Sequence, residues 1–170
     1  MTVKIVGAIL IFLGCGGYGF YLAANQIRET KTLNMLLGLL HFMLWELRFK
    51  LTPLPDLCRN AASEAKGSLK AVFEDLADEL DNQVSPNAKK CMDAVLVKYS
   101  SLPPVSASCL RELGGSLGRF DLTGQLEALE AMENTCILKL EALRNNQDAR
   151  LRSYRTIGIC CGAALVILFI

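Results

Sequence analysis

Apolar residues are concentrated at the two ends of the 170-residue chain, and the middle has amphipathic, helix-like periodicity. Ile5–Ala24 is a run of 20 residues without a formal charge, about the length that a helix needs to cross ~30 Å of hydrocarbon. Thr156–Ile170 is a second uncharged run of 15 residues, which is short for a complete span. The pattern predicts a transmembrane helix over residues 1–25, a helical domain over 26–155 and a C-terminal transmembrane helix over 156–170.

Each apolar end has one other interpretation. Ile5–Ala24 follows Lys4 and loosely fits a secretory signal peptide, although Ala23-Ala24 is a poor cleavage site. The second run could instead be a buried terminal helix of a soluble protein. Its Gly158 and Gly162 form a G-x-x-x-G pair, which favours close helix packing within a membrane.

The middle segment is predicted to be helical throughout, because its apolar residues recur at three- and four-residue spacings. No stretch alternates polar and apolar residues as a strand would. Breakers at Pro53, Gly67, Pro86, Pro104 and Gly118 divide the segment. The predicted fold class is therefore all-α, an antiparallel helical bundle of about six helices flanked by the two transmembrane helices.

The first and last helices of this bundle have the clearest apolar stripes. The first stripe consists of Leu33, Leu36, Leu40, Met43 and Leu47. The last stripe consists of Leu122, Leu126, Leu129, Met132, Cys136, Leu140 and Leu143. No breaker occurs between Asn134 and Tyr154, so we expect the last helix to continue into the second apolar run. His41 and Glu46 are expected at the border of the first stripe.

Four residues are assigned to helix ends. Thr52 is expected to cap the second helix, with Pro53 at its first position. Gly118 is expected to end a helix in the left-handed conformation, which glycine adopts easily. Asp121 is expected to cap the last helix through its side chain.

Charge places the middle segment on one side of the membrane. All 17 Asp and Glu residues, and all but one of the 18 Lys and Arg residues, lie within Gln26–Arg155, so this segment is neutral and offers no basic surface to nucleic acid. Lys4 alone flanks the far side of the apolar runs, whereas the near side carries Arg28, Lys31, Arg144, Arg150, Arg152 and Arg155. Since cytoplasmic flanks carry the excess of Lys and Arg, we expect the domain in the cytoplasm and both termini opposite.

The cysteines of the middle segment are expected to be buried, reduced thiols. These residues are Cys58, Cys91, Cys109 and Cys136. Their spacing is not that of a zinc site, and disulfides are rare in the cytoplasm. If the domain faced an oxidising compartment instead, the four could form two disulfides.

No residue pattern indicates an active site. His41 is the only histidine, so a Cys–His nucleophile pair would have to use it. Gly114–Gly118 lacks the strand and the Lys-Ser/Thr of a phosphate loop. Acidic pairs such as Glu127 and Glu130 are typical of solvated helix faces. We therefore predict no catalytic residue, no cofactor, no metal and a protein that is not an enzyme.

Four segments, taken in order, carry a family resemblance. They are the run 14–23 (GCGGYGFYLA), Glu46 with Thr52-Pro53-Leu54-Pro55, Leu113–Gly118 with Asp121 and Gln125, and Tyr154–Gly158 running to the apolar end. Over its whole length the chain resembles the stage III sporulation protein AB family of endospore-forming bacteria. No single motif is very specific, but their order and spacing together are.

The resemblance implies a place in the complex that links the mother cell and the developing forespore. It also implies a fold similar to the helical F-domain of the inner-membrane platform proteins of type II secretion and type IV pilus machines, which sit on a hexameric ATPase. The implied partners are the membrane, the stage III sporulation protein AA ATPase and other channel proteins of the complex. The implied location is the mother-cell membrane around the forespore. Self-association of the single domain is a further option.

The family pattern also yields candidate interface positions, which equally suit caps and tight turns. They are Thr52, Pro53, Pro55, Gly115, Gly118 and Asp121. The leading hypothesis is a non-enzymatic membrane platform for a cytoplasmic ATPase. One alternative is a signal-cleaved or tail-anchored interaction domain outside the cytoplasm, stapled by disulfides. Another is a small membrane hydrolase that uses Cys58 and His41.

Overall fold

All regular secondary structure in the described part of the chain is helical. The structure is a computed structural model that describes residues 27–82, 87–118 and 121–169, with the backbone alone for 146–169. These residues contain six helices and no strand, which confirms the predicted all-α bundle. The helices are α1 (27–50), α2 (Leu54–Glu64), α3 (Ser68–Asp81), α4 (Ala88–Lys98), α5 (Pro104–Ser116) and α6 (Leu122–Phe169).

The bundle itself is the compact unit Glu29–Leu140. It contains α2 to α5, nearly all of the described part of α1 and the first part of α6. From Glu141 onward, α6 belongs to a second unit. As the lack of breakers predicts, α6 is a single helix of 48 residues.

The core of the bundle is built from the predicted apolar stripes. All five predicted residues of the α1 stripe are buried, and so are Leu69, Val72, Phe73 and Leu76 of α3. Burial of one such side chain contributes about 1.5–3 kcal/mol relative to exposure. In α6 the predicted stripe is buried only in its middle, at Leu129, Met132, Cys136 and Leu140. Leu122 is exposed, and Leu126 and Leu143 are half-buried, so the predicted stripe is too long.

Helices that follow one another in the sequence pack together. Within the bundle, α2 packs on α3, α3 on α4 and α4 on α5. Exposed ion pairs cross these contacts: Arg59 with Asp81, Lys98 Nζ with Glu79 Oε1 at 3.5 Å, and Arg111 Nε with Asp93 Oδ1 at 3.0 Å. Each such pair contributes little, about 0–1 kcal/mol, so apolar packing holds the hairpins together.

At the start of both α4 and α5, a backbone N–H group donates to a side chain. The predicted start of α4 at Ser85-Pro86 lies outside the described residues, and the observed cap is Asn87, whose side chain accepts a hydrogen bond from the Lys89 N–H at 3.0 Å. Helix α5 begins at Pro104, and its Val105 N–H donates to Glu29 Oε1 of α1 at 2.7 Å. A carboxylate from another helix thus satisfies an N-terminal donor that has no partner within α5.

Helices α4 and α5 approach each other closely at Gly114. A Cβ atom on Gly114 would lie 2.4 Å from Met92 Cβ, a separation that real side chains do not show. The next residue, Gly115, has its nearest such contact at 3.9 Å, on Lys89 Cδ. The two adjacent glycines therefore have different roles, because only Gly114 is required by the packing.

The predicted membrane helices are not defined by this structure. Residues 1–25 lie outside the described residues, and 156–169 are described as helical backbone only. Among the residues whose side chains are described, none of the helices combines the length and the apolar character needed to span a bilayer.

Replacement of Gly114 by Ala should destabilise the full-length protein by about 1–3 kcal/mol, because the added methyl group forces α4 and α5 apart. The measurement is urea unfolding of the detergent-solubilised chain followed by circular dichroism.

Gly115→Ala is the matched control. It should leave stability unchanged or raise it by up to about 1 kcal/mol, since alanine favours helix and the position has space. Equal effects of the two substitutions would contradict the close approach at Gly114.

Candidate functional site

The α5–α6 turn is closed by the glycine that the sequence indicates. Helix α5 ends at Ser116, and Gly118 follows its C-cap residue with φ = +69°. This left-handed conformation confirms the prediction for Gly118. A Cβ atom on Gly118 would lie 3.2 Å from Leu54 Cδ2, so the turn also contacts the start of α2.

The α1–α2 turn differs from its prediction by one residue. Helix α2 begins at Leu54, its N-cap residue is Pro53, and Pro55 lies in its first turn. Thr52 precedes the cap and does not form it, so the prediction for Thr52 and Pro53 is wrong in register. The physical reason is that Pro53 is held in an extended conformation, with ψ = 149°, while its carbonyl accepts the first helical hydrogen bond from Leu57 N at 2.8 Å.

Leu51, just before this turn, has an unusual backbone conformation. It has φ = +54°, in the left-handed region, although it is neither glycine nor asparagine, and its side chain is exposed. This conformation costs an ordinary residue about 1–2 kcal/mol. The sequence gives no sign of it, because a leucine after a helix does not indicate left-handed backbone.

Asp121 caps α6 as predicted. Its Oδ1 accepts a hydrogen bond from the Gly124 N–H at 3.1 Å, and its carbonyl accepts from the Gln125 N–H at 2.9 Å. As the N-cap residue it also places its negative charge at the N-terminus of the helix, where the helix dipole favours it.

The candidate interface positions fall into two places. Because Gly118 contacts Leu54, the α1–α2 and α5–α6 turns lie at one end of the bundle. This brings Thr52, Pro53 and Pro55 to the same end as Gly118. Gly115 is separate from them, since it faces Lys89 of α4. Asp121, the remaining candidate, caps α6, and each candidate except Thr52 thus has an observed structural role or neighbour within the bundle.

Glu46 is buried, contrary to its predicted position at the border of the α1 stripe. It was expected at the border of the α1 stripe, but its side chain is only 2% exposed. Its Oε1 accepts a hydrogen bond from Lys50 Nζ at 2.7 Å, and its Oε2 accepts from Asn60 Nδ2 of α2 at 3.0 Å. Burial raises the pKa of Glu46, but the hydrogen bonds from Lys50 and Asn60 and the charge of Lys50 outweigh it, so the pKa is lowered. Glu46 is therefore an ionised tie between α1 and α2.

A second buried polar contact joins α5 to α6. The Cys136 thiol donates a hydrogen bond to the Cys109 sulfur, and Lys139 Nζ lies 3.6 Å from Cys109 Sγ and 2.9 Å from Glu112 Oε1. The bond from Cys136 and the Lys139 ammonium lower the pKa of Cys109 to about 7, although burial opposes them. The same bond, together with burial, raises the pKa of Cys136. Residues 27 positions apart in sequence give no hint of this contact.

The residues considered for a hydrolase have unsuitable surroundings. Cys58 is fully buried, and burial raises the pKa of its thiol to about 12, which leaves it protonated and a poor nucleophile. His41 is exposed on α1, with its Nε2 3.3 Å from Glu133 Oε1 of α6. In the part of the chain with described side chains, no group of three His, Cys, Asp or Glu residues could hold a metal ion. The four described cysteines are buried thiols.

The fold and these contacts define a small all-helical bundle domain with a long C-terminal helix. The sequence model of the family described as "Stage III sporulation protein AB (spore_III_AB)" matches residues 4–170. The chain therefore belongs to the stage III sporulation protein AB family, which confirms the resemblance and assigns it to sporulation.

One solved structure supports the same fold. It is described as "Stage III sporulation protein AB (SpoIIIAB)", and it matches with a TM-score of 0.62 and 19% sequence identity. The match covers 72% of this chain and 98% of that chain. At this identity the likeness shows the fold alone. No curated protein matches the chain.

Glu46→Gln should lower the free energy of unfolding by about 1–3 kcal/mol, because the side-chain amide has only one oxygen and cannot accept hydrogen bonds from both Lys50 and Asn60.

The lowered pKa of Glu46 also makes the stability of the protein depend on pH. Its stabilisation is present above the ordinary value of 4.5 and is lost as pH falls through the lower folded value. The free energy of unfolding is measured by urea unfolding at a series of pH values between pH 3 and pH 7, about one pH unit apart.

The control is Glu74→Gln, which changes an exposed carboxylate paired with Lys70 one turn away. It should cost less than about 0.5 kcal/mol. If Glu46→Gln were as mild as Glu74→Gln, Glu46 would not tie the two helices together.

Proposed function

We propose that the chain is a non-enzymatic membrane component of the channel complex between mother cell and forespore. Its helical bundle would be the platform for a cytoplasmic ATPase, the stage III sporulation protein AA ATPase, among other channel proteins. Family membership supports the role in sporulation. The observation that carries the platform role is α6, a single helix that runs from the bundle core into the apolar C-terminal segment.

The proposal places both apolar ends in the mother-cell membrane around the forespore and the bundle in the cytoplasm. The excess of Lys and Arg beside the bundle supports this orientation. The four described cysteines are buried thiols, as is usual in a reducing compartment.

Continuous helix is a suitable connection between an ATPase and a membrane segment. Helix α6 has no break between Leu122 and Phe169, and its buried residues Leu129, Met132 and Cys136 anchor it in the bundle. Under this proposal, movement of the bundle would be transmitted along α6 to the C-terminal segment. A flexible linker would not have this property.

The full-length chain, extracted from membranes of sporulating cells in mild detergent, should co-purify with the ATPase of the same complex. We expect this complex because the proposal makes the cytoplasmic bundle the platform on which the ATPase sits. The measurement is affinity capture of the tagged chain followed by detection of the ATPase with a specific antibody.

The orientation serves as the control for this experiment. Protease added outside intact mother-cell protoplasts should leave residues 27–145 undigested, whereas protease added after lysis should digest them. Digestion from outside would place the bundle on the wrong side of the membrane and remove the basis for an ATPase platform.

Glu141→Pro should block sporulation while leaving the bundle folded. Proline in a helix interior costs about 3 kcal/mol and interrupts the hydrogen bonds of α6. Glu141 is exposed and follows Leu140, the last buried residue among those whose side chains the structure describes, so the bundle core loses no apolar side chain. The measurement is the count of heat-resistant spores in a strain carrying the variant.

Glu141→Ala is the matched control and should sporulate normally. Normal sporulation of the Glu141→Pro strain would show that an unbroken α6 is unnecessary, and the rigid-connection part of the proposal would be wrong.

A further inference from the structure

An open cleft separates α1 from the first part of α6. It has a volume of about 580 Å³. We call it the aromatic cleft and define it by His41, Trp45, Arg48 and Phe49 of α1 with Glu130 and Glu133 of α6. None of its residues belongs to the family-pattern turns described above.

The α1 wall of the aromatic cleft is unusually apolar for a surface. Trp45 is 50% exposed and Phe49 is 68% exposed, and their ring centroids lie 5.9 Å apart. Lys50 Nζ lies over the Trp45 ring, 5.0 Å from its centre, in a cation–π contact. Two adjoining exposed aromatic rings have little reason to face water on an isolated domain, and aromatic residues are enriched where proteins bind each other.

The α6 wall is acidic. Glu130 Oε1 lies 2.5 Å from Arg48 Nη2, and Glu133 Oε1 lies 3.3 Å from His41 Nε2. Among its Asp, Glu, Lys and Arg residues, the cleft has two carboxylates and one guanidinium, a formal excess of one negative charge. The nearby Glu46 and Lys50 neutralise each other.

This combination favours a particular occupant. A groove between two helices, with an apolar wall and an acidic wall, is complementary to an amphipathic helix that carries apolar side chains and a Lys or Arg. A second copy of this chain is less suitable, because a symmetric pairing of the cleft would bring together two surfaces with the same excess of negative charge.

We propose that the aromatic cleft is the docking site for a basic amphipathic helix of the partner ATPase. This inference rests on the proposed function, since it names the face of the platform that the ATPase contacts. Apolar side chains of that helix pack on Trp45 and Phe49. Its basic side chain pairs with Glu133, whose only ion-pair neighbour in the described part of the chain is His41.

The test is the affinity of the full-length chain, in detergent, for the purified ATPase of the same complex, measured by microscale thermophoresis. Trp45→Ala with Phe49→Ala should weaken binding by at least about tenfold, because exposed aromatic anchors dominate protein interfaces. Glu133→Lys should weaken it by a similar factor, since it places a cation opposite the basic helix.

Two control variants match these changes elsewhere on the bundle. Val97→Ala removes the side chain of a 79% exposed apolar residue of α4, and Glu74→Lys reverses an exposed charge of α3. Both should bind within about twofold of the unchanged chain. All variants alter exposed or partly exposed side chains, so thermal unfolding midpoints should confirm that they remain folded.

The possible outcomes separate the two proposals. If the unchanged chain binds the ATPase and the cleft variants bind equally well, the docking inference is overturned and the platform proposal stands. If the unchanged chain does not bind, the platform proposal fails, and the docking site fails with it. If the cleft variants instead abolish self-association, measured by analytical ultracentrifugation, while ATPase affinity is unchanged, the occupant is a second copy and the inference is wrong.

Discussion

The arrangement of the bundle depends on one buried charge, the carboxylate of Glu46. One of its oxygens faces Lys50 on its own helix, and the other accepts a hydrogen bond from Asn60 on α2. A carboxylate removed from water must keep both partners, because an unpaired buried charge is very costly. This requirement fixes α2 against α1 near the turn between them. The contact of Leu54 with Gly118 in turn positions the α5–α6 turn against the start of α2.

Much of the fold is contained in local sequence patterns. The stripe of α1 and the centre of the α6 stripe follow helical periodicity, and both are buried. Gly118 and Asp121 occupy the helix-end positions that their residue types favour. The absence of breakers after Asn134 corresponds to a single helix α6. These features depend on neighbours close in sequence, which explains why they could be predicted.

The errors have a common cause, which is contact between residues far apart in sequence. Glu46 was placed at a border because glutamate is usually solvated, and its partner Asn60 could not be identified without the packing of α1 on α2. The hydrogen bond between Cys109 and Cys136 is equally invisible in the sequence. Trp45 and Phe49 lie off the predicted α1 stripe, and only the structure shows that their rings adjoin each other beside the acidic residues of α6. The candidate site was therefore predicted less well than the fold.

The two walls of the aromatic cleft are synthesised at different times during translation. Helices α2 to α5 pack on sequence neighbours and can assemble while the ribosome is still translating. Arg48 and Glu130, in contrast, are 82 residues apart, so the acidic wall is added only when almost the whole chain has been made. A prematurely terminated chain would carry the aromatic rings without their charged counterpart. Under the docking proposal, a chain terminated before Glu130 would therefore lack half of the surface that the partner helix contacts.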